Sequence, residues 1–360
     1  MDSRVFRLGA DAVLRARGRR EIARFDRQSA ARCQLRVLLG LLHDARATPF
    51  GRAHDFRRIR TEPDFRRLVP LRSPAELHRI DTPPAVADGR KAFRKALGAS
   101  WQTTLAYVAG ARPQGRLLSG RIVSLGGSDL SALPWLSRSY SFGNAADAAA
   151  ERLVRTPVTC FVGPADRVVS VLDQVRWITG RERVAELWPD LTAVLYSRGS
   201  PQDDWAPQLL ELLGEKVLLL ETCFLPEGPI AVEDPRRGCL VLLFDHGVFF
   251  EFTPAAEAGK SDPARHGLAE VEPGVVYEIA LSSPAGVWAC RTGVAVRFER
   301  RDPPLFHLVP MPAPAAVDNR KILTSPPRPP QAPHRQIAGI PAAPPEKFVH
   351  TPWLTPVDRG

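Results

Sequence analysis

The amino-acid sequence predicts an α/β fold in which a mostly parallel, helix-covered sheet is followed by antiparallel strands. Two patterns carry this prediction. Before residue 230, short apolar runs alternate with helical stretches, which favours parallel strands joined by helical crossovers. After Glu227, strand-like runs instead flank short turn sequences, which is typical of antiparallel hairpins.

The N-terminal residues 4–79 are predicted to be helical. Residues 4–46 are predicted as one helix because apolar side chains recur with the i, i+3, i+4, i+7 spacing of a helix face: Leu35, Leu38, Leu39 and Leu42. Two shorter helices are predicted to start at Thr61 and Ser73, since each is followed three residues later by an acidic residue that can complete a capping box. A further helix is predicted over 89–109.

Besides the helix over 89–109, three strands and three further helices are predicted in the α/β part, residues 80–230. The strands are 121–125, 191–196 and 216–220, and the helices are 165–179, 181–188 and 203–213. Two hairpins are predicted in residues 231–308. The first joins Cys239–Phe244 to Val248–Phe252 around His246-Gly247, and the second joins 275–282 to 287–299. These antiparallel strands are predicted to form a barrel or small sheet attached to the α/β part.

Composition excludes several classes of protein. The 360 residues are 44% apolar and 24% charged, which is ordinary for a globular protein. The longest apolar runs, such as 238–244, are far shorter than the roughly 20 residues that span a bilayer, and the N-terminus lacks the apolar core of a secretory signal. Five cysteines without a C-x-x-C pair predict neither a disulfide framework nor a zinc site. A cytoplasmic protein without a membrane partner is expected.

The net charge of +10 comes from the first 72 residues, which hold 18 Arg and 8 Asp or Glu. A basic N-terminus of this kind can favour nucleic acid or another anionic partner. However, 43 of the 49 basic residues of the whole chain are Arg, a skew that coding bias explains better than selection for phosphate contacts. No nucleic-acid partner is therefore expected.

Residues 309–360 are predicted to be a Pro-rich, disordered tail. Residues 310–360 contain 13 Pro and no sustained periodicity. The run Pro326-Pro327-Arg328-Pro329-Pro330 has the density of a polyproline ligand for an aromatic groove. The tail is thus either a solvated segment or the binding segment for a protein partner.

Several segments, taken in order, resemble the auxin-responsive Gretchen Hagen family of acyl acid amido synthetases. In the N-terminal part these are Gln34 with the Leu stripe, Thr48–Phe56, Phe65 and Val69–Leu71. Further on, Pro226–Ala231 is similar to the family's S-E-G segment and Phe249–Pro254 resembles its Y-Y-E-F-x-P strand. Val276–Ile279 and Gly286–Val294 resemble its Y-E-L-V and G-L-Y-R-Y-R-x-G-D stretches. The resemblance extends over about residues 30–310.

The resemblance implies an adenylate-forming fold for residues 1–308. It also implies ATP and Mg2+ as cofactors, which such enzymes use to convert a carboxylic acid to an acyl-adenylate that an amine then attacks. This chemistry needs a Ser/Thr/Gly loop around the phosphates, a carboxylate near Mg2+ and an Asp on the ribose hydroxyls.

Most of these groups are replaced here. Residues 78–88, where the phosphate loop is expected, contain no Gly or Ser. Glu227 matches the Glu of S-E-G and is the one candidate remnant of the ATP and Mg2+ site. The other motif positions have changed residue type: Pro226 for Ser, Cys223 for Tyr, Ala289 for Arg and Val294 for Asp. The family's small C-terminal lid domain is expected to be absent, with the Pro-rich tail in its place.

Three functions are consistent with these patterns. The leading hypothesis is a divergent relative that is catalytically inactive, without a bound cofactor, and that binds a small carboxylic acid or another partner. The second is a working ATP-dependent acid–amino acid ligase or an acyltransferase, for which Glu227 is the main support. The third is an interaction protein that acts through the basic N-terminus or the Pro-rich tail. No residue is assigned a catalytic role, and Glu227 can equally be a solvated turn residue.

Overall fold

One sheet of eleven strands organises the part of the chain that the computed structural model describes, which is residues 3–79, 87–126, 140–141 and 146–312. The strands are β1 (Arg121–Ser124), β2 (Tyr140–Ser141), β3 (Val158–Pro164), β4 (Ala193–Ser197), β5 (Leu218–Leu225), β6 (Gly228–Asp234), β7 (Cys239–Leu242), β8 (Phe249–Pro254), β9 (Val276–Ser283), β10 (Val287–Arg300) and β11 (Leu305–Val309). Their order in the sheet is β2-β1-β3-β4-β5-β6-β7-β11-β10-β9-β8.

The first half of the sheet is parallel, as predicted. Strands β2, β1, β3, β4 and β5 pair in parallel. The sequence prediction omits β3, although six of its seven residues are buried. A short apolar run of this kind carries no periodicity that separates a strand from a buried turn of helix.

The antiparallel strands continue the same sheet, because β5 pairs in parallel with β4 and antiparallel with β6. The prediction of a separate barrel or small sheet is therefore wrong. The predicted hairpin of residues 275–282 and 287–299 is confirmed, since β9 pairs with β10. The other predicted hairpin is wrong: β7 pairs with β6 and β11, whereas β8 pairs with β9.

The wrong hairpin has a physical cause in the segment between β7 and β8. The side-chain amide of Gln34 donates hydrogen bonds to the backbone carbonyls of Phe244 and Val248, at 2.6 and 3.0 Å. The same side chain accepts a hydrogen bond from the backbone N–H of Phe250 at 2.7 Å. These contacts hold the segment between β7 and β8 against an N-terminal helix. The two strands therefore do not pair, and they lie at separate positions in the sheet.

The helices are α1 (Ser3–Arg27), α2 (Ala30–Ala45), α3 (Pro49–Ala53), α4 (Glu62–Leu68), α5 (Pro74–Arg79), α6 (Ala87–Ala111), α7 (Ala146–Leu153), α8 (Ala165–Thr179) and α9 (Ala206–Leu213). The predicted single helix over 4–46 is interrupted, because Ser29 has extended backbone angles and starts α2. The capping signals are confirmed: Thr61 accepts from the N–H of Asp64, and Ser73 and Glu76 bond each other reciprocally. Residues 181–188 form only a 3-10 turn at Val184–Leu187.

Helices cover both faces of the sheet. On one face, α1 and α6 place Phe25, Trp101 and Tyr107 in a large core. On the other face, a second core gathers apolar side chains of α7, α8 and α9 against β3 and β4. A third cluster joins α2 and α4 to β8 and β10 through Phe65 and Phe249. This arrangement is the predicted α/β fold.

No helix within these ranges combines the length and the apolarity that crossing a membrane requires. The Pro-rich tail lies almost wholly outside the described residues, so its structure stays a prediction. The same holds for the predicted subdivision of residues 1–308 at 79 and 230.

Candidate functional site

Glu227 lies in the turn between β5 and β6, at the carboxyl end of the last parallel strand. Its side chain is half-buried. The carboxyl ends of parallel strands are where open α/β sheets bind ligands. The position of Glu227 therefore fits a binding residue, and it fits a turn residue equally well.

The structure brings Glu227 close to Gly286–Val294, the segment that resembles the family's G-L-Y-R-Y-R-x-G-D stretch. The pKa of the Cys290 thiol is raised to about 12, mainly by burial and further by the charges of Glu227 and Glu278. Cys290 stands between Ala289 and Arg291 in β10. Two motif segments that are distant in sequence thus meet in the fold.

Ala289, at the position of the family's Arg, is completely buried in an apolar cluster with Phe56 and Trp288. Its φ of +44° lies in the left-handed region. Its N–H donates to the hydroxyl of Ser282 at 2.8 Å, and its carbonyl accepts from the N–H of Arg72 at 2.9 Å. Both the backbone and the side-chain space at this position are therefore occupied by internal contacts.

Val294, at the position of the family's Asp, packs against the large core. The polar groups beside it bond to one another. The guanidinium of Arg291 pairs with the carboxylate of Glu278 at 3.0 Å, and the same carboxylate accepts from the N–H of Gly293 at 3.2 Å. Glu278 is buried in this pair. The neighbouring Tyr277 packs in the core through an edge contact with Phe252.

Two expected loops cannot be placed. Residues 80–86, in the stretch where the phosphate loop is expected, lie outside the described residues. So do residues 127–129 of the Gly126–Asp129 segment after β1, whose sequence suits either a plain turn or a turn that binds an anion through backbone N–H groups. The predicted loss of the phosphate loop therefore rests on the sequence.

A cleft of about 220 Å3 lies between the sheet and the loop that follows β4. The polar and aromatic side chains on its β4–β6 side are Tyr196, Arg198, Asp203, Asp204, Trp205, Glu221 and Glu233. Across the strands, Tyr196 pairs with Glu221, so the cleft lies over the end of β4 and the middle of β5.

The cleft is acidic. Arg198 in the cleft forms an ion pair with Glu221. The Nε of Arg198 donates a hydrogen bond to Oε1 of Glu221 at 2.7 Å, and its Nη2 makes a second, shorter contact with Oε2. The N–H of Glu221 donates to the carboxylate of Glu233 at 2.8 Å. Burial raises the pKa of Glu233 and raises that of Tyr196 to about 12, and the charge of Glu221 adds to both shifts. Four carboxylates thus face one guanidinium.

Sequence reasoning missed this cleft because its residues come from separate strands and a loop. They share no spacing that a motif could capture. One signal was available: Glu221 and Glu233 are charged residues within strands that are mostly apolar. A carboxylate in a buried strand needs a partner, so such interruptions indicate a buried polar site.

Models of the GH3 (Gretchen Hagen) family match two parts of the chain. The GH3 family N-terminal domain matches residues 20–79, and the GH3 family central domain matches residues 241–309. No curated protein matches the chain in sequence. The matched ranges contain α4, β8 and β10, which build the third apolar cluster.

Solved structures of adenylate-forming enzymes have the same fold. The AtGH3.15 acyl acid amido synthetase in complex with 2,4-DB is 13% identical with a TM-score of 0.56, and the similarity covers 78% of this chain and 68% of that one. The 2-hydroxyisobutyryl-CoA ligase in the postadenylation state, in complex with R3-HIB-AMP, is 12% identical with a TM-score of 0.57 and coverages of 77% and 66%. The chain therefore spans about two thirds of the length of these enzymes.

Proposed function

The chain belongs to the GH3 family, and from this premise we propose that it is a divergent acyl acid amido synthetase-like protein that keeps the scaffold but does not form acyl-adenylates. An active member needs ATP, Mg2+ and a carboxylic acid in one site. The related structures are complexes with 2,4-DB and with R3-HIB-AMP, so an active chain would have to hold groups of this kind.

The observation that carries the proposal is the packing at two motif positions. Ala289 is completely buried among aromatic side chains, and Val294 lies against the core. Neither can present a charge to a nucleotide. Loss of an Asp that bonds ribose costs about 1.5 to 3 kcal/mol in binding, which an enzyme can tolerate. Each lost donor at a developing charge costs on the order of 10² to 10³ in rate, so loss of the phosphate loop as well would abolish the chemistry.

The acidic cleft supports the same conclusion. It is a poor place for a triphosphate or a carboxylic acid, since like charges repel at short range. A small carboxylic acid as ligand of that cleft is therefore not part of the proposal. Arg291 and the buried Glu278, which pair near Val294, both match the family pattern and therefore belong to the shared scaffold.

An active ligase or acyltransferase is the alternative, and one observation favours it. Glu227 lies at the carboxyl edge of the parallel strands, where a metal-binding carboxylate would be useful. With ATP and Mg2+ bound, Glu227 would help to hold the ion there. The role of a protein partner for the basic N-terminus or the tail stays a prediction from the sequence.

Carboxylate-dependent exchange of pyrophosphate into ATP tests the proposal. Acyl-adenylate formation is reversible, so an active protein incorporates labelled pyrophosphate when its acid is present. We expect no exchange above background with a panel of aryl, indolyl and short aliphatic acids. Exchange that depends on one acid, disappears in Glu227→Ala and persists in Glu215→Ala would overturn the proposal. Glu215 is the matched control because it is exposed in the loop before β5.

A further inference from the structure

Three neighbouring strands bring together a thiol, an imidazole and a carboxylate. Cys239 opens β7, His307 lies on β11 and Glu299 lies on β10. The pairing of Leu240 with Phe306 in antiparallel strands sets Cys239 beside His307. The ligand atoms of the three side chains lie within 4.8 Å of one another.

The individual distances describe a compact cluster. Cys239 Sγ lies 3.1 Å from Glu299 Oε2 and 3.8 Å from His307 Nε2. His307 Nε2 lies 2.6 Å from Glu299 Oε1. All three groups therefore converge on one point, as the ligands of a single ion do.

Strand geometry places Glu299 in this cluster. The register of β10 against β11 shifts between Phe298 and Arg300, so Glu299 lies at a bulge. Bulges redirect side chains and are common beside functional sites. The other two groups lie on regularly paired strands, which hold ligands more firmly than loops do.

The surroundings favour a cation. Cys239 and His307 form one end of the acidic cleft, which also contains the carboxylates of Asp203, Glu221 and Glu233. Negative side chains in a concave surface raise the local concentration of cations. The cluster therefore has both suitable ligand atoms and a suitable electrostatic environment.

A nucleophilic role for Cys239 fits the geometry less well. A Cys–His–carboxylate triad needs the thiol and the carboxylate on opposite nitrogens of the imidazole. Here Glu299 and Cys239 both face Nε2 of His307.

We infer that Cys239, Glu299 and His307 form a binding site for a divalent transition metal of the zinc class, with an open coordination position towards the cleft. Thiolate, imidazole and carboxylate are the ligands that zinc prefers, and three protein ligands leave a fourth position for water or another group. Binding releases the thiol proton to solvent, since the thiolate is the ligand. This proposal departs from the sequence prediction of no metal site, because the three ligands are brought together by strand pairing and not by a spacing motif.

Zinc titration of the full chain after removal of metals with a chelator tests the inference. We expect about one zinc ion per chain at micromolar concentrations or below. The variants Cys239→Ala, His307→Ala and Glu299→Gln should each weaken binding by more than the roughly ten- to hundredfold that loss of an outer-shell partner costs. Cys33→Ala and His43→Ala serve as matched controls and should keep the wild-type affinity.

Cobalt gives a second readout that reports the ligand directly. Bound Co2+ should show a sulfur-to-metal charge-transfer band in the near ultraviolet, and Cys239→Ala should lose it. If Cys239→Ala fails to fold, Glu299→Gln and His307→Ala still decide the matter, because the side chains of Glu299 and His307 are 52% and 41% exposed. No saturable zinc binding at micromolar concentrations, or binding that none of the three variants weakens, would overturn the inference.

Discussion

Replacing Arg265 with alanine is expected to lower the free energy of unfolding by about 3 to 5 kcal/mol. The guanidinium of Arg265 holds the completely buried carboxylate of Glu251 through two hydrogen bonds of 3.1 and 2.7 Å. It also donates to the backbone carbonyls of Arg66 and Val69 at 2.9 and 2.6 Å. Without it, Glu251 would keep only a long contact of 3.9 Å to the side chain of Arg66.

Equilibrium unfolding in denaturant measures this loss. Arg58→Ala is the matched control, since Arg58 is 81% exposed and pairs with exposed Asp55 at 3.3 Å. Such surface pairs contribute up to about 1 kcal/mol. Replacement of both partners of the buried pair, as in Glu251→Leu with Arg265→Met, should cost much less than Arg265→Ala alone. An Arg265→Ala protein that is as stable as Arg58→Ala would contradict this assignment.

Gln34→Leu is expected to cost at least about 3 kcal/mol, because three buried backbone groups each lose a partner at about 1 to 3 kcal/mol. The side chain of Gln34 is completely buried. Its amide bonds the carbonyls of Phe244 and Val248 and the N–H of Phe250. Leucine has similar volume, so the change removes hydrogen bonds and leaves little cavity.

The control for Gln34→Leu is the same substitution at Gln208, which lies on the exposed face of α9. Substitutions at exposed positions of this kind usually change stability by less than about 0.5 kcal/mol. The midpoint of denaturant unfolding should fall strongly for Gln34→Leu and stay near wild type for Gln208→Leu. Equal midpoints for the two variants would show that the Gln34 contacts are not needed.

Gln34 and Glu251 belong to segments on which the family resemblance rests, and both act in the scaffold. Gln34 ties α2 to β8, and Glu251 on β8 ties that strand to Arg265 and α4. The positions at which the chain departs from the family pattern are the ones that chemistry would use, such as Ala289 and Val294. The resemblance at Gln34 and at Phe249–Pro254 is therefore explained by folding, which is what the proposed function requires.

The sequence predicted the elements that depend on local signals. Thr61 and Ser73 are caps, α8 has the predicted limits of 165–179, and β9 pairs with β10. In each case the information lies within a few residues, as a hydrogen-bonding side chain or a turn between apolar runs. The fold class followed from the order of such elements.

Features that depend on distant contacts could not be predicted in this way. The pattern around His246-Gly247 indicates a hairpin, yet Gln34, far away in sequence, binds the intervening carbonyls. The acidic cleft depends on the register that sets Tyr196 opposite Glu221. The cluster of Cys239 with His307 depends on the pairing of β7 with β11. Local spacing contains no information on any of these.

Calorimetric titration of the full chain with ATP and Mg2+ tests the central claim most directly. With an active acyl acid amido synthetase titrated in parallel, we expect heat of binding from the active enzyme and none from this chain at micromolar nucleotide. The reason is that Ala289 and Val294, at the positions of the family's Arg and Asp, are used for packing. Micromolar binding of the nucleotide that weakens in Glu227→Ala would contradict the account.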